Sequence, residues 1–464
     1  MMAQTQAVFL QGSLFRHITV MSLTSSVGLM AVFLVDFVDM IFISMLGKEE
    51  LAAAVGYAGA VLFFTTSVGI GMAIAGGALV ARALGMEDET LARQRATNTL
   101  ILGVAAGAAF SAVVWLNLPF LVGLLGASDE TLDLAVGYLR IIIPSLPLLL
   151  VGMVGGAILR AHGDARRAMM ATIYGGGVNA VLDPILIFGL GLDLTGAALA
   201  SVAARVTIAV TALIPIFRHH GGLVRPTFPA LSQDVRPIMA LALPAVLTQL
   251  ATPLGQAYVT RSMAQYGEEA VAGMAIVARL TPVAFGVLFA LSGAVGPIIG
   301  QNFGAGKSER VRGAYRDAMI FTAIVVVAIS LILFLLRGPI IALFQADGVT
   351  ASLVILFCGP LALAFFFNGM LFVSNAAFNN LGHPFYSTTV NWGRHTVGTI
   401  LPVALFSSLY GAAGVLIGQA VGGVVFGLLS AWLAHRVMAQ AVTPSEDEPF
   451  QRQVRLMTLF HHRR

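Results

Sequence analysis

The sequence predicts an all-α integral membrane protein of twelve transmembrane helices, arranged as two pseudo-symmetric six-helix bundles. Three observations carry that prediction. Of the 464 residues, 58% are hydrophobic and only 10% are charged, with a mean hydropathy of +0.89, whereas a soluble domain carries roughly 25% charged residues. Apolar stretches recur along the chain, each near or above the roughly 20 residues that a hydrocarbon core requires. The two halves of the chain also match one another in sequence.

The apolar stretches run over 18–45, 51–81, 98–121, 134–156, 168–190 and 195–217, then over 238–262, 270–300, 318–336, 350–376, 385–409 and 411–434. Membrane β-strands would alternate apolar and polar residues over about ten positions. Runs such as FTAIVVVAISLILFLL at 321–336 do not alternate, so the spans are helices. Basic residues gather in every second connection: Arg82, Arg93 and Arg95; Arg160, Arg166 and Arg167; Arg218, Arg225 and Arg236; Lys307, Arg310, Arg312 and Arg316; and Arg436, Arg452, Arg455, Arg463 and Arg464 near the end. The intervening connections hold only Lys48, Arg261 and Arg337. By the positive-inside rule both termini are expected in the cytoplasm, with the chain a multi-pass protein of the bacterial cytoplasmic (inner) membrane.

At an offset of about 220, MLGKEELAAAVGYA (45–58) aligns with QYGEEAVAGMAIVA (265–278), placing Gly47 on Gly267. At 219, Gly163 meets Gly382, and at 218, Pro184 meets Pro402 and Gly196 meets Gly414. The organisation expected is an N-terminal cation-coupling lobe at 1–216, a Pro-rich cytoplasmic linker at 217–237, a C-terminal lobe at 238–440 and a cytoplasmic tail at 441–464. Six helices per repeat give both halves the same orientation, as in transporters that rock two bundles about a central cavity.

Composition also excludes function classes. A net charge of +4 follows from arginines in short loops and implies no nucleic-acid partner. The single cysteine, Cys358, permits neither an internal disulfide nor a thiolate metal site. The first residues, MMAQTQAVFLQGSLFRHITV, lack the pattern of a cleavable signal peptide. No paired nucleophile and base or HExxH set marks an enzyme, and no G-x-x-x-x-G-K-[ST] loop marks a nucleotide-driven pump. An ion gradient or a partner must supply the energy, and no cofactor is expected.

Acidic residues inside spans carry the chemistry, because an aspartate at a helix centre costs roughly 2.5–3.5 kcal/mol on insertion. Asp36 and Asp39 share one face of the first span, and Asn179 and Asp183 share one face of the fifth. Pro184 withholds a hydrogen bond from the carbonyl four residues back, freeing an oxygen near the same place. Asp39 and Asp183 each precede an outer turn by about eight residues, roughly 12 Å of helix, so the two can share a pocket. Carboxylates brought together in low dielectric cannot all ionise cheaply, which suits a proton or sodium site. In the second half the repeat offsets give Gln256 for Asp36, Val259 for Asp39, Val397 for Asn179 and Leu401 for Asp183, none of which ionises. Cation handling is therefore assigned to the first half.

The segments DMIFISMLGKEELAAAV and NAVLDPILIFGLGLDLTGAALAS, with the Gly-rich second and eighth helices, resemble the multidrug and toxic compound extrusion family over essentially the whole chain. The resemblance implies a secondary active antiporter that exports organic, mainly cationic compounds and drugs in exchange for H+ or Na+, working in membrane lipid as a monomer. It implies a cation pocket of Asp39, Asn179 and Asp183, also the candidate sodium ligands, with Ser201 where a threonine is common. Asp36 falls where the family often has asparagine. The second half has Gln256 and Asn368 or Asn375 as candidate substrate-binding residues in place of carboxylates, similar to the DNA-damage-inducible F branch.

Arg140, Arg205, Arg279 and Arg394 lie inside spans, where long side chains are expected to snorkel to the interface. An anionic substrate or a lipid headgroup is the alternative partner. His395 is the one histidine inside a span and reads as a packing contact. A flippase of lipid-linked precursors, built on the same repeated bundle, is the rival function. It would need several cationic residues around a pyrophosphate, whereas the central candidates here are carboxylates.

Overall fold

The computed structural model describes residues 7–440. Residues 1–6 and the tail 441–464, with Arg452, Arg455, Arg463 and Arg464, lie outside the described residues. Every regular element among the described residues is helical. In chain order the helices are α1 (Leu14–Met45), α2 (Glu49–Gly85), α3 (Glu89–Leu116), the short α4 (Leu118–Leu124), α5 (Asp129–Ile142), α6 (Leu146–Ala161), α7 (Ala165–Pro184) and α8 (Asp193–His219). The series continues with α9 (Phe228–Ala264), α10 (Glu268–Gly304), α11 (Ser308–Leu343), α12 (Gly348–Leu356), α13 (Ala362–Asn380), α14 (Pro384–His395) and α15 (Val397–Gln440). The connection between α8 and α9 is confined to 220–227, and the two ends of the expected linker 217–237 are helical.

Among the described residues, eleven helical segments are long and apolar enough to cross a membrane. The last, Pro384–Gln440, has 57 residues, more than twice what a bilayer needs. Gly411, at φ 59° and ψ −138°, turns the chain back on itself in a conformation open in practice only to glycine. Beyond it Gly414, Gly418 and Gly422 press against the backbones of Phe406, Val403 and Gly398. That sequence of contacts is an antiparallel pair, so the segment crosses twice and there are twelve spans. Large apolar side chains along these helices are exposed, Leu331, Leu335, Leu401 and Leu409 among them. Such surface belongs against lipid.

Several spans are broken where proline removes a donor. A 3₁₀ turn at Ile143–Ser145 joins α5 to α6 at Pro144, and π turns at Ile185–Gly189 and Phe357–Leu361 follow Pro184 and contain Pro360. The break between α14 and α15 has another origin. Thr396 leaves the helix at φ −105° and ψ −93°, and hydroxyls take up carbonyls there: Thr396 Oγ1 donates to Trp392 O at 2.6 Å and Thr399 Oγ1 to Arg394 O at 2.8 Å.

The described residues form two compact units, one containing Val27–Val246 and the other containing Phe9–Ser26 with residues 247–440. Helices α1 and α9 are thus each divided between the units, at places the repeat offset of about 220 makes equivalent. In the first unit α2, α3, α6 and α8 approach closely through small residues: Gly76 faces Thr99 and Val154, and Gly152 faces Ile208. The start of α9 is fixed by Asp234, which is 1% exposed. It accepts from Asn98 Nδ2 at 2.7 Å and pairs with Arg95 Nη1 at 2.7 Å. In the second unit Phe9 N donates to Gln301 Oε1 at 2.9 Å, and Arg310 Nη2 to Phe9 O at 2.9 Å.

Candidate cation site

The first unit brings α1 onto α7. Gly28 lies against the backbone of Met169, and Gly176 admits Val35, so the helices approach closely enough for short polar side chains to meet. Asn179 and Asp183, one turn apart on α7, are 4% and 1% exposed. The Asn179 amide Nδ2 donates to Asp39 Oδ1 at 3.0 Å and Oδ2 at 3.1 Å, and to Asp183 Oδ2 at 2.7 Å. The second carboxyl oxygen of Asp183 is buried without a donor.

One amide has two hydrogens, and here both are spent on two carboxyl groups. If both groups are ionised, two negative charges share a single neutral donor in low dielectric, which is costly. A proton on one carboxyl, or a bound cation, supplies what is missing. Pro184 adds an acceptor: it has no N–H, and the N–H of Ile185 goes to Leu182 O, so the Ala180 carbonyl lacks its helical donor.

Asp36 stays outside this hydrogen-bonded set, one turn away on α1 and exposed, interacting with Asp39 only through charge. Ser201 on α8 and the Tyr138 hydroxyl on α5 lie within interaction range of each other, and Tyr138 lies within electrostatic reach of both Asp39 and Asp183. Sequence reasoning did not single out Tyr138, since one tyrosine near the start of a span carries no signal of its own. Arg205 does not snorkel. Its Nη1 donates to Ile142 O at 3.1 Å and Ser145 Oγ at 2.9 Å; the 3₁₀ turn sends the N–H of Leu146 to Ile143 O and so leaves the Ile142 carbonyl free for Arg205.

Among its described residues, the second unit lacks such a cluster. Gln256 is exposed on α9, Asn368 has a buried Oδ1 with no donor, and Asn375 Oδ1 accepts from Asn391 Nδ2 at 3.2 Å; these three candidates are not hydrogen-bonded to one another. The expected counterparts of Asn179 and Asp183 shift by two residues. Val397 and Leu401 are 58% and 63% exposed, whereas Thr399 and Val403 are 3% and 0% exposed. The glycine contacts agree, because Gly196 packs on Leu186 and Ile187 as Gly414 packs on Phe406 and Ser407. Thr399 and Val403 do not ionise at physiological pH, so carboxylates are absent from this face as well. No group of three or more His, Cys, Asp or Glu side chains able to hold a metal occurs among the described residues.

The sequence pattern of the MatE family matches the chain twice, at residues 25–185 and again at 244–403. The chain belongs to the MatE family. The double match is the internal repeat seen as a family property, and it makes this MatE protein a multi-pass membrane transporter rather than an enzyme. It is 28% identical to a FAD transporter of Shewanella oneidensis, over 92% of this chain and 96% of the relative. It is 24% identical to the multidrug export protein MepA of Staphylococcus haemolyticus, over 92% and 94%. Among solved structures, an outward-facing MATE transporter of the MOP superfamily superposes with a TM-score of 0.87 at 24% identity, covering 94% of this chain and 98% of the other. A MOP superfamily transporter from Pyrococcus furiosus, described as having a binding pocket of reverse polarity, superposes at 0.86 over the same shares. These two share the fold of this MatE chain.

Proposed function

We propose that the protein is a secondary active multidrug efflux antiporter of the bacterial inner membrane, exporting organic, mainly cationic compounds in exchange for H+ or Na+. The observation that carries this reading is the Asp39–Asn179–Asp183 cluster, two carboxyl groups inside spans with one amide between them. Ion entry neutralises the pair and export of a cation restores it. The resemblance to the multidrug export protein MepA supports drug export. In this reading residues 1–216 are the cation-coupling lobe and 238–440 its partner lobe, joined through 217–237. Asp36 and Ser201 flank the ion site. Gln256, Asn368 and Asn375 face the cargo in the second half, and both termini lie in the cytoplasm.

Purified protein in liposomes should move a fluorescent organic cation against its own gradient when a proton or sodium gradient is imposed. Movement indifferent to both gradients contradicts the proposal. A second reading has an observation of its own: the match to a FAD transporter over nearly the whole length of both proteins favours a flavin dinucleotide as cargo, and competition by FAD in the same liposomes separates the two.

A further inference from the structure

Of the four arginines inside spans, Arg140 and Arg279 are exposed and Arg205 has its hydrogen-bond partners. Arg394 differs. It is partly buried in the middle of a span, and among the described residues its guanidinium has no hydrogen bond and no carboxylate partner. A cation at that depth is costly unless something neutralises it. The end of α14 gives part of the answer, since a helix C-terminus favours positive charge. Two of its carbonyls, those of Trp392 and Arg394, are already taken by the Thr396 and Thr399 hydroxyls. The backbone also breaks here, directly after His395, and irregular backbone at membrane depth belongs where protein buries it or it lines a cavity.

Arg394 follows Ser387 and Asn391 along one face of α14. That face meets α13: Ser387 Oγ bonds Asn375 O and Asn379 Oδ1, and Asn391 Nδ2 donates to Asn375 Oδ1. On α13 the spacing puts Phe365, Asn368, Phe372 and Asn375 on one face. Its aromatic members belong to a cluster with α10, where Phe285 stacks on Phe365 at 4.1 Å between ring centroids and Phe289 lies 5.3 Å from Phe372. Amides, flat rings and an uncompensated guanidinium thus occupy neighbouring positions on two helices of the second unit. A planar fork of N–H donors matches a carboxylate or phosphate, and aromatic side chains match a flat apolar body.

We propose that Arg394 and the amide and phenylalanine face of α13 form a subsite for the anionic group of a flat aromatic compound. This deepens the efflux reading and rests on it: cargo need not be purely cationic, because the second half reads negative charge while the first handles the coupling cation. A lipid phosphate is the competing source of the same oxyanion chemistry.

The test uses two dyes with the same xanthene ring and opposite charge, carboxyfluorescein and rhodamine 6G, bound at equilibrium to the purified full-length protein in detergent. Arg394→Gln should weaken carboxyfluorescein at least tenfold, the scale of one lost charge-assisted hydrogen bond, and leave rhodamine 6G within twofold. Arg394→Lys keeps the charge without the fork and should recover part of the loss, which a purely structural role would not distinguish between the dyes. Equal losses for both dyes, or no carboxyfluorescein binding by the wild type, overturn the subsite. Displacement of carboxyfluorescein by phosphatidylglycerol at stoichiometric amounts, dependent on Arg394, makes it a lipid site and also overturns the proposal. Failure of rhodamine 6G alone to bind the wild type counts against organic-cation cargo and leaves the subsite standing.

Discussion

Asn179 Nδ2 lies 2.7 Å from Asp183 Oδ2, one helical turn away, and the same nitrogen reaches across to Asp39 on another helix. Asn179 thus donates to both carboxyl groups at once. The arrangement is complete with a proton or a cation in place and incomplete without one, which is what an ion-coupled exchanger needs at its coupling site.

Replacing Asp39 or Asp183 by Asn should therefore abolish gradient-driven efflux while leaving membrane insertion and expression intact, because removing an intramembrane carboxyl eases insertion. Efflux from liposomes, normalised to protein recovered in the membrane, checks this. Retained efflux in both variants would move the coupling site elsewhere.

Much of this was legible in the sequence. The spacing of Asn179 and Asp183 fixes them on one face of any helix, and carboxyl groups in apolar runs stand out by cost alone. The reversal at Gly411 was legible too, since 385–409 and 411–434 together are too long for one span. Three features were hidden. Asp36 has the same spacing credentials as its neighbours but makes no hydrogen bond to Asn179, which depends on how α1 rolls against α7. The partners of Arg205 are the Ile142 carbonyl, freed by a break between two other helices, and the Ser145 hydroxyl. The break at Thr396 falls on a threonine, with Gly393 and Gly398 only flanking it, and the second-half equivalents lie at Thr399 and Val403 rather than Val397 and Leu401.

Close helix packing sets a test of stability with opposite signs at two glycines. A Cβ on Gly196 would lie 2.7 Å from the backbone carbon of Leu186, whereas one on Gly137 meets nothing within 4 Å. Gly196→Ala should destabilise by about 1–3 kcal/mol through overpacking, and Gly137→Ala should stabilise by up to about 1 kcal/mol through helix propensity. Melting of the detergent-solubilised protein reads both.

The loop between α6 and α7 gives a pH dependence. Burial holds the His162 imidazole down at about 4, below its ordinary 6.5. The folded state thus keeps His162 neutral where the unfolded chain protonates it, so its contribution to stability is full above pH 6.5 and is lost as pH falls towards 4. Asp164 acts lower. Burial alone would raise it, but hydrogen bonds from His220 and Arg167 outweigh burial and hold it at about 2 rather than 3.8, so its contribution fades between those values. Melting temperature should drop between pH 7 and 4.5 in the wild type, and less in His162→Gln.

Sidedness follows from the arginine-rich connections. Single cysteines at Ser128 and Gly348, in a background lacking Cys358, should react with an impermeant thiol reagent applied outside intact cells. Cysteines at Gly163 and Gly306 should react only after the membrane is opened. Labelling of all four from one side would contradict the alternating arrangement.

The central claim is that the coupling ion and the cargo compete through the Asp39–Asn179–Asp183 cluster. Equilibrium binding of a labelled organic cation to the purified protein, from pH 5 to 9 with and without sodium, tests it most directly. Affinity should fall as protons or sodium occupy the cluster, by roughly 5- to 150-fold, the usual span of linked sites, and Asp39→Asn should lose that dependence. Curves that stay flat in the wild type under every condition would mean that the two aspartates are structural and that coupling does not pass through them.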